Sequence, residues 1–588
     1  MSRAVPIRRR SPVLVLATLL AASCTGADAP TATAATAFPA GWPYPADAAP
    51  VTAAQGMVVS TDELASRVGV AVLQAGGNAV DAAVAVQFAL AVVNPEAGNI
   101  GGGGFMVVRM AGGTAAALDF REKAPLAATR DMYLDAEGNL TDKSTVGHLA
   151  AGVPGSTMGM WEAHKRFGTL PWADLVAPAA TLADGFPVTP RFLRSLDSAM
   201  VASLSAFPAS AAQFLPRDGQ PPQVGDTLRL ADLAATLRRI QESGADGFYR
   251  GRTADLIVEE MKRGGGIMTH ADLEAYTAAW RDPITFTYRG HQVISMAPSS
   301  SGGATMALVA NILEGHDLAA LPWHGPEMIH LYAEAFKRAY ADRNHYLADP
   351  DFVDMPLARM TSPEYARERG ADISPERATP AADIGPGLEG TPEGEHTTHF
   401  SIVDGAGNAV SVTTTINSWY GSMVTVTGAG FVLNNEMDDF AAKPGVANQY
   451  GLVQGENNAV GPGKRMLSAM TPSIVVAPDG KLRMVVGTPG GATIITTVFQ
   501  VISNVLDYGM DLVAAVNAPR VHNQHLPDQI WYEKGGLEPA TLQRLGEMGH
   551  TLVERSEMSG DVQAIRVEAD GSLAAWSDPR RGGKAVGY

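Results

Sequence analysis

Hydrophobic residues recur first with helical and then with strand spacing in the amino-terminal part of the chain. Residues 62–93 predict two helices separated at Gly76, Gly77 and Asn78, and the second helix, AVDAAVAVQFALAVV, is so apolar that it must be buried. The following NIGGGGFMVVRMAGGTAAALDFRE predicts a glycine-rich turn, a strand, a turn and a second strand that ends near Arg121. Residues 155–350 are predicted to be mostly helical, with loops marked by Pro and Gly.

The pattern changes abruptly at residue 397. Residues 379–396, TPAADIGPGLEGTPEGEH, contain few large apolar residues and predict an exposed connector where chain cleavage is expected. The following TTHFSIVDGAGNAVSVTTTI has period-two character and a Gly-Asn turn, which predict a hairpin. Further on, KLRMVVGT predicts a strand, 494–505 a helix with an apolar stripe, and AIRVEADGSLAAW a last hairpin. The whole pattern predicts mixed layers of sheet and helix with a structural boundary at 396/397.

Composition narrows the class of protein. Of the 588 residues, 46 % are hydrophobic and 18 % are charged, and the mean hydropathy is +0.01. These values are typical of a globular protein and exclude a disordered chain or a bundle of membrane helices. The formal net charge of -17 argues against nucleic acid and anionic membranes as partners.

Residues 1–23 predict an export signal, because the cationic MSRAVPIRRR precedes an apolar stretch too short to span a bilayer. Cys24, the only cysteine, either lies by chance near a signal-peptidase site or is the lipidated residue of an imperfect lipobox, LAASC. A lone cysteine excludes a disulfide framework and a Cys-based metal site. Residues 24–50 predict a disordered leader or tether. Both interpretations of Cys24 predict a periplasmic or secreted protein, with a lipid anchor to the outer face of a bacterial membrane in the second.

Thr397 is the candidate nucleophile. A threonine hydroxyl needs a base beside it, and a threonine at the N-terminus can use its own α-amine. The pKa of an α-amine, about 8, lies nearer to working pH than that of a lysine, about 10. A precursor exposes this amine if the Thr397 hydroxyl attacks the carbonyl of His396 and the resulting ester is hydrolysed. Alone, however, two threonines before a strand are explained as well by β-propensity.

Two groups of segments strengthen this hypothesis. After residue 396 they are TTHFSIVDGAGNAVSVTTTIN, NNEMDDF, YGLVQGENNAVGPGKRMLSAMTPSIV and GTPGGATIITTVFQV, and before it GGNAVDAAVA, GNIGGGGFMVVR, LDFREKAP, PSSSGG and AYADRNHYLADPDF. In order and spacing they resemble the gamma-glutamyltransferases, from residue 51 to the C-terminus. The resemblance implies an α+β fold, the four-layer αββα sandwich of N-terminal-nucleophile hydrolases, with a helical large-subunit portion and no cofactor or metal.

The resemblance also implies a processed enzyme. The precursor would cut itself between His396 and Thr397, and its large subunit, 51–396, and small subunit, 397–588, would remain together as a heterodimer. Thr397 would take the γ-glutamyl group from glutathione or a related donor as an ester. It would then pass this group to water, to an amino acid or to a peptide.

Each matching residue receives a role from the resemblance. Thr415 would assist maturation and catalysis, and the backbone N–H groups of Gly490 and Gly491 would form the oxyanion hole. Arg121 would bind the donor α-carboxylate through its two-pronged guanidinium, with Ser468 assisting. The donor α-ammonium would be held by three oxygen-bearing side chains, those of Asn417, Glu436 and Asp439.

The same residues can also be interpreted as structural, without a role in catalysis. Arg121 could instead form an ion pair with Asp119 or Glu122, and the Glu436–Asp439 run could be a solvated acidic turn or a calcium-like cluster, with Asp438 as a bystander. The Pro-Gly-Gly at 489–491 could be a simple strand-to-helix turn. His522 and His525 have an HxxH spacing but no evident third ligand, which favours a structural role.

Two features bear on substrate choice. Ala469 follows Ser468 where the family commonly has a second serine, so a side-chain contact to the donor carboxylate is lost and the Ala469 N–H remains. Residues 444–455, with Tyr450, match a lid loop found in some members, although they could be a plain surface loop. Two alternatives therefore stay open: an acylase of glutaryl-cephalosporins with the same fold, and an inactive, lipid-anchored binding protein. An acylase has no need of acidic residues for an α-ammonium, and this chain keeps them.

Overall fold

Strands with period-two patterns form the centre of the protein. We describe a computed structural model that places residues 1–2, 4, 37–385, 397–449, 451–556 and 560–588. Within these residues the strands are β1 (Val51–Ala53), β2 (Met57–Ser60), β3 (Gly103–Arg109), β4 (Ala115–Asp119), β5 (Phe186–Pro187), β6 (Thr227–Leu228), β7 (Ala279–Arg281), β8 (Ile284–Tyr288), β9 (His291–Ser295), β10 (Thr398–Val403), β11 (Ala409–Thr415), β12 (Ser473–Val476), β13 (Leu482–Gly487), β14 (Val521–His522), β15 (Ile530–Glu533), β16 (Leu552–Arg555), β17 (Gln563–Val567), β18 (Leu573–Ser577) and β19 (Lys584–Gly587).

Helices surround these strands. In the same described ranges the α-helices are α1 (Glu63–Gln74), α2 (Ala79–Val93), α3 (Ser156–Phe167), α4 (Trp172–Asp184), α5 (Pro190–Leu193), α6 (Ser198–Ser205), α7 (Pro208–Phe214), α8 (Ala231–Ser243), α9 (Asp246–Tyr249), α10 (Gly251–Gly264), α11 (His270–Ala275), α12 (Gly302–Glu314), α13 (Pro326–Tyr346), α14 (Leu357–Met360), α15 (Pro363–Gly370), α16 (Thr493–Leu506), α17 (Leu512–Asn517) and α18 (Pro539–Glu547). None of the described helices has the length and hydropathy needed to cross a membrane.

Two seven-stranded sheets carry the fold. One has the strand order β1-β18-β17-β13-β12-β9-β8 and the other β19-β2-β10-β11-β3-β4-β7. Every neighbouring pair in both sheets is antiparallel. Both sheets contain strands from before and from after residue 397, so the two predicted subunits share one core.

The sheets pack face to face between two layers of helices. Adjacent residues of β2 show the arrangement, because Val58 packs with α1, α2 and α4 whereas Val59 packs with the facing sheet. The outer side of that facing sheet is covered by α12, α13 and α16. The order of layers is therefore helix, sheet, sheet, helix, as the resemblance implies.

The two predicted amino-terminal helices are present, and the polar residues between them explain where they begin and end. Asp62 caps α1 by accepting the N–H of Leu64, and Asn78 and Asp81 form a reciprocal capping box at the start of α2. Every residue of α2 is buried, as its uniformly apolar sequence predicts. The predicted hairpins at 103–119, 398–415 and 563–577 are also present.

The region predicted to be mostly helical also contains strands. β8 and β9 pair through a two-residue turn at Arg289 and Gly290, both with positive φ, and extend one of the large sheets. The apolar alternation of Ile284, Phe286 and Tyr288 was the available signal. These strands are short, and the helices on both sides of them dominate the local pattern.

Part of the predicted leader contacts the folded body. Trp42 donates its indole N–H to the carbonyl of Asn517 at 2.8 Å, and the amide of Asn517 donates to the carbonyl of Pro45 at 2.7 Å. The guanidinium of Arg580 lies 4.6 Å from the ring centre of Tyr44. The expectation of a disordered segment therefore does not hold for residues 37–50.

Candidate active site

Thr397 lies at the entrance of the central strand β10 and is 6 % exposed. Thr398 pairs with Thr414 in the hairpin, so the same register places Thr397 beside Thr415, the last residue of β11. The hydroxyl of Thr415 accepts the N–H of Asn417 at 2.7 Å, and Asn417 has a φ of 70°. This turn brings Asn417 back toward the strand end, as the assigned roles require.

Most of the described residues predicted for the site line one cavity, which we call the donor cavity. Thr397 lies in its wall together with Arg121, Thr415, Asn417, Glu436, Asp439, Ser468, Ala469 and Gly491. Residues 121 and 436 are 315 positions apart in sequence, yet their side chains are in contact here. Gly490 precedes Gly491 in the chain. Three predicted residues, Cys24, His396 and Tyr450, lie outside the described residues.

Arg121 occupies the centre of a buried cluster of carboxyl groups. Its guanidinium forms short ion pairs with Glu436 and Asp439, and Glu122 lies 3.6 Å away. Its Nε donates to the carbonyl of Met466 at 3.2 Å. Burial lowers the pKa of Arg121, but the three carboxyl groups outweigh this effect and raise it, so Arg121 stays charged.

The carboxyl groups of this cluster are correspondingly perturbed. Burial raises the pKa of Glu122 to about 7 and that of Glu436 well above its ordinary value, and Arg121 offsets only part of each effect. The cause is simple, because one guanidinium cannot neutralise three buried carboxyl groups. The Glu436–Asp439 segment is thus neither a solvated turn nor free of partners. The Arg121 ion pairs run mainly to Glu436 and Asp439 rather than to Asp119 or Glu122.

Gly490 and Gly491 have φ values of 141° and 51°. Both lie in the region that favours glycine, and a side chain here would strain the backbone. They come directly before α16, whose N-terminus adds a partial positive charge. A turn of this kind can direct backbone N–H groups at a developing oxyanion, so its roles as a turn and as an oxyanion hole are compatible.

Ser468 and Ala469 are held by a serine-rich segment of the large-subunit part. The N–H of Ser468 donates to the carbonyl of Ser299 at 3.0 Å, and its carbonyl accepts the N–H of Ser301 at 2.7 Å. The hydroxyl of Ser468 accepts the N–H of Met470 at 3.1 Å. These bonds explain why the PSSSGG and MLSAM segments occur together in the sequence.

Asp438 has a structural role rather than that of a solvated bystander. It is buried, accepts the hydroxyl of Ser144 at 2.8 Å, and accepts the N–H of Gln449 at 3.0 Å. Burial raises its pKa to about 6. Gln449 belongs to the predicted lid, 444–455, so this bond anchors that segment to Asp438. Leu452 of the same segment lines the donor cavity.

Sequence reasoning assigned no role to a second guanidinium in the donor cavity, that of Arg343 in α13. Arg343 is fully buried and donates to the hydroxyl of Ser301 and to the side-chain oxygen of Asn344, each at 2.9 Å. Its positive charge acts on Asp439. Arg343 lies in the AYADRNHYLADPDF segment, whose resemblance to the family was the available signal for it.

The histidines with metal-like spacing are hydrogen-bonded within the core. His522 bonds the hydroxyl of Thr496 at 2.8 Å, and His525 bonds the carbonyl of Ala381 at 3.1 Å. A different group, His330, Glu334 and His550, brings three residues with metal-ligating side chains together among the described residues. There the two imidazoles bond each other at 2.8 Å, and Arg338 pairs with Glu334 at 2.6 Å. Because the Arg338 guanidinium already pairs with Glu334, this group is better explained as a structural contact than as a metal site.

Asp561, which precedes β17, gives a pH-dependent prediction. It is fully buried, and neither carboxyl oxygen has a hydrogen-bond partner among the described residues. Burial raises its pKa from 3.8 to about 7, and the guanidinium of Arg191 offsets part of this effect. A carboxyl group with a raised folded pKa contributes its full stability below its unfolded pKa and loses it as pH rises to the folded one.

We therefore expect Asp561→Asn to become more stable than the unchanged protein as pH rises from about 4 to about 7. The difference in free energy of unfolding should change by about 4 kcal/mol over this range. Urea unfolding at pH 4 and at pH 8 measures it. A difference between the two proteins that is independent of pH would contradict the burial argument.

Comparisons with known proteins bear on the family of this chain. A model of the family described as Gamma-glutamyltranspeptidase matches residues 65–588. The chain is 48 % identical to a glutathione hydrolase proenzyme of Pseudomonas sp. (strain A14), covering 92 % of this chain and 93 % of that one. It is 47 % identical to the glutathione hydrolase proenzyme of Escherichia coli (strain K12), covering 96 % and 97 %.

A solved structure confirms the fold class. The crystal structure of a cephalosporin acylase from Bacillus halodurans superimposes with a TM-score of 0.81 at 30 % identity, covering 94 % of this chain and 99 % of that one. Acylases and glutathione hydrolases thus share this architecture, and the higher identity lies with the hydrolases. The chain belongs to the gamma-glutamyltranspeptidase family.

Proposed function

We propose that this protein is a gamma-glutamyltransferase and glutathione hydrolase that matures by cutting itself before Thr397. The observation that carries the proposal is the charge pattern of the donor cavity. Two guanidiniums, Arg121 and Arg343, and two carboxyl groups, Glu436 and Asp439, lie in its wall with Thr397. Such a pattern complements a zwitterion, and the α-carbon end of a γ-glutamyl donor is a zwitterion.

Donor binding replaces ion pairs that the protein makes with itself. Arg121 pairs with Glu436 and Asp439. The α-carboxylate of the donor takes over the guanidinium, and its α-ammonium binds the carboxylates thus released, together with Asn417. The exchange leaves the net charge of the cavity unchanged, which a ligand with a single charge could not achieve. Ser468 and Ala469 line the same cavity.

Maturation supplies the catalytic base. The Thr397 hydroxyl attacks the carbonyl carbon of His396, the peptide bond becomes an ester, and water hydrolyses that ester. The products are a carboxylate on His396 and a free α-amine on Thr397. The large subunit, 51–396, and the small subunit, 397–588, stay together because both sheets contain strands from each part.

Turnover then proceeds by two acyl transfers. The α-amine of Thr397 takes the hydroxyl proton as the oxygen attacks the γ-carbonyl carbon of glutathione. Gly490 and Gly491 stabilise the oxyanion, and cysteinylglycine leaves with the proton. Water, an amino acid or a peptide then attacks the ester and releases Thr397. Thr415 steadies the region by bonding Asn417.

The substrate of the acylase alternative differs from a γ-glutamyl donor by one charge. A glutaryl group has the distal carboxylate of a γ-glutamyl group but lacks the α-ammonium, so it leaves Glu436 and Asp439 without a cation. The relative named a cephalosporin acylase shares the fold at 30 % identity. Hence the choice between the two activities depends on these two carboxyl groups.

This difference gives a direct test with two chromogenic anilides. We expect the cleaved protein to hydrolyse γ-glutamyl-p-nitroanilide with a kcat/KM at least about tenfold higher than that for glutaryl-p-nitroanilide. In Asp439→Asn the value for the γ-glutamyl anilide should fall about tenfold or more while that for the glutaryl anilide does not fall. A wild-type protein that prefers the glutaryl anilide would establish the acylase instead. A cleaved protein without either activity would support the inactive binding protein.

We also propose that the protein acts outside the cytoplasm, in the periplasm or secreted. Support comes from the cationic and apolar segments of residues 1–23. The two fates of Cys24 differ in mass, because lipidation adds acyl chains to a new N-terminal cysteine. The intact mass of the mature large subunit, purified from the source cell, distinguishes them.

A further inference from the structure

The predicted lid is attached to the body of the protein at two neighbouring points. At the first, the N–H of Gln449 donates to Asp438 at 3.0 Å. At the second, the carbonyl of Gly451 accepts the side-chain N–H of Gln524 at 3.2 Å. Leu452 follows directly and lines the donor cavity. The bond from Gln524 thus fixes the lid backbone beside a residue that forms part of the cavity wall.

Gln524 is itself held in one orientation. Its amide nitrogen donates to two carbonyls, that of Gly451 and, at 3.3 Å, that of Leu526. Its amide oxygen accepts the Nε2–H of His522 at 3.0 Å. A half-turn of the amide would place the oxygen against the two carbonyls and the nitrogen against an N–H, so all these bonds would be lost. Gln524 is 1 % exposed, and bulk water therefore cannot replace them.

His522 connects this glutamine to the helix behind the oxyanion glycines. Its Nδ1 accepts the hydroxyl of Thr496 at 2.8 Å, in the first turn of α16. Burial lowers the pKa of His522 to about 3, so the imidazole is neutral at working pH with its hydrogen on Nε2. Because α16 begins two residues after Gly491, a row of buried hydrogen bonds runs from the oxyanion turn through His522 and Gln524 to the lid.

We propose that Gln524 is a latch that holds the predicted lid over the donor cavity, and that His522 is the positioning residue that orients it. A latched lid keeps Leu452 in the cavity wall and limits the access of bulk water to the γ-glutamyl ester of Thr397. An unlatched lid lets water compete better with an amine for this ester. The latch therefore raises the share of γ-glutamyl groups that pass to an amine. This inference rests on the proposed function, which supplies the ester.

Hydrogen exchange of the lid tests the latch directly. Gln524→Met keeps the length of the side chain and removes its hydrogen bonds. We expect the backbone amides of residues 444–455 to exchange about fivefold faster than in the wild type, as the loss of one net hydrogen bond implies. In His522→Phe the glutamine can still donate but is no longer oriented, so the increase should be about twofold. Mass spectrometry of peptides from the cleaved protein measures both.

Gln500 provides the matched control. It is 3 % exposed, and its amide nitrogen donates to the carbonyls of Thr496 and Val521 at 2.8 and 2.9 Å, within α16 and β14. Gln500→Met should therefore lower the melting temperature at least as much as Gln524→Met. Exchange of the lid should nevertheless stay within about 1.5-fold of the wild type, because these bonds do not run to the lid.

Product analysis tests the consequence for the reaction. The donor is γ-glutamyl-p-nitroanilide, and glycylglycine is present at the concentration where the wild type forms equal amounts of glutamate and γ-glutamyl-glycylglycine. Under these conditions Gln524→Met should raise the ratio of glutamate to transfer product about threefold or more, and Gln500→Met should change it less than about 1.5-fold.

Hydrolysis of the anilide without acceptor separates this inference from the proposed function. If the cleaved wild type does not hydrolyse the anilide, the proposed function fails, and lid exchange alone then shows whether Gln524 holds the lid. If it does hydrolyse the anilide, and lid exchange or the product ratio is the same in Gln524→Met as in Gln500→Met, only the latch is wrong. His522→Phe carries both measurements if Gln524→Met does not fold.

Discussion

Replacing Thr397 by alanine should leave the protein folded, uncut and inactive. The side chain is small and lies at the end of β10, so the two sheets that surround it lose little packing. Without the hydroxyl, however, no atom is placed to attack the carbonyl of His396 or of a donor. We expect a single uncut chain on a denaturing gel and a loss of anilide hydrolysis of roughly 10⁴-fold or more.

Thr397→Ser is the matched variant, because it removes a methyl group and keeps the hydroxyl. It should still separate into two chains, more slowly, and retain part of the hydrolysis. Thermal unfolding of the uncut and cut forms is the control that tests whether both variants are folded. Cleavage of Thr397→Ala between His396 and Thr397, detected by mass spectrometry, would show that another residue performs the cut.

Local patterns were sufficient to predict the elements that position Thr397. The hairpin at 398–415 follows from alternation and a Gly-Asn turn, and α2 follows from its cap and its uniformly apolar sequence. Both signals act over a few residues, where turn propensity and helix capping determine the backbone conformation. The residues named for the site do converge on one cavity, but that expectation came from the family resemblance and not from the pattern.

Contacts between distant residues could not be predicted from the pattern. The pairing of Arg121 with Glu436 and Asp439 depends on how β4 and the 436–439 segment meet, more than 300 positions apart. Sequence alone suggested nearby Asp119 or Glu122 as partners, because proximity along the chain is all that it shows. The same reason explains why Arg343 was missed and why the donor cavity becomes visible only in the fold.

Arg121→Lys should lower kcat/KM for both γ-glutamyl and glutaryl anilides by roughly 100-fold. Lysine keeps the charge, but one ammonium cannot form the two parallel bonds that a guanidinium makes to a carboxylate. Both anilides carry this distal carboxylate, so both should suffer, in contrast to the selective effect of Asp439→Asn. The variant should also be less stable, because Glu436, Asp439 and Glu122 lose part of their shared counter-charge.

A second buried arginine provides a control that distinguishes a loss of donor binding from a loss of stability. Arg338 in α13 is as deeply buried as Arg121 and pairs with Glu334 at 2.6 Å and Asp372 at 2.8 Å, but it does not line the donor cavity. Arg338→Lys should therefore lower the melting temperature and leave kcat/KM within about threefold of the unchanged enzyme. If both lysine variants lose activity in proportion to their stability, Arg121 is a structural residue. A large loss of activity confined to Arg121→Lys identifies it as the residue that binds the donor carboxylate.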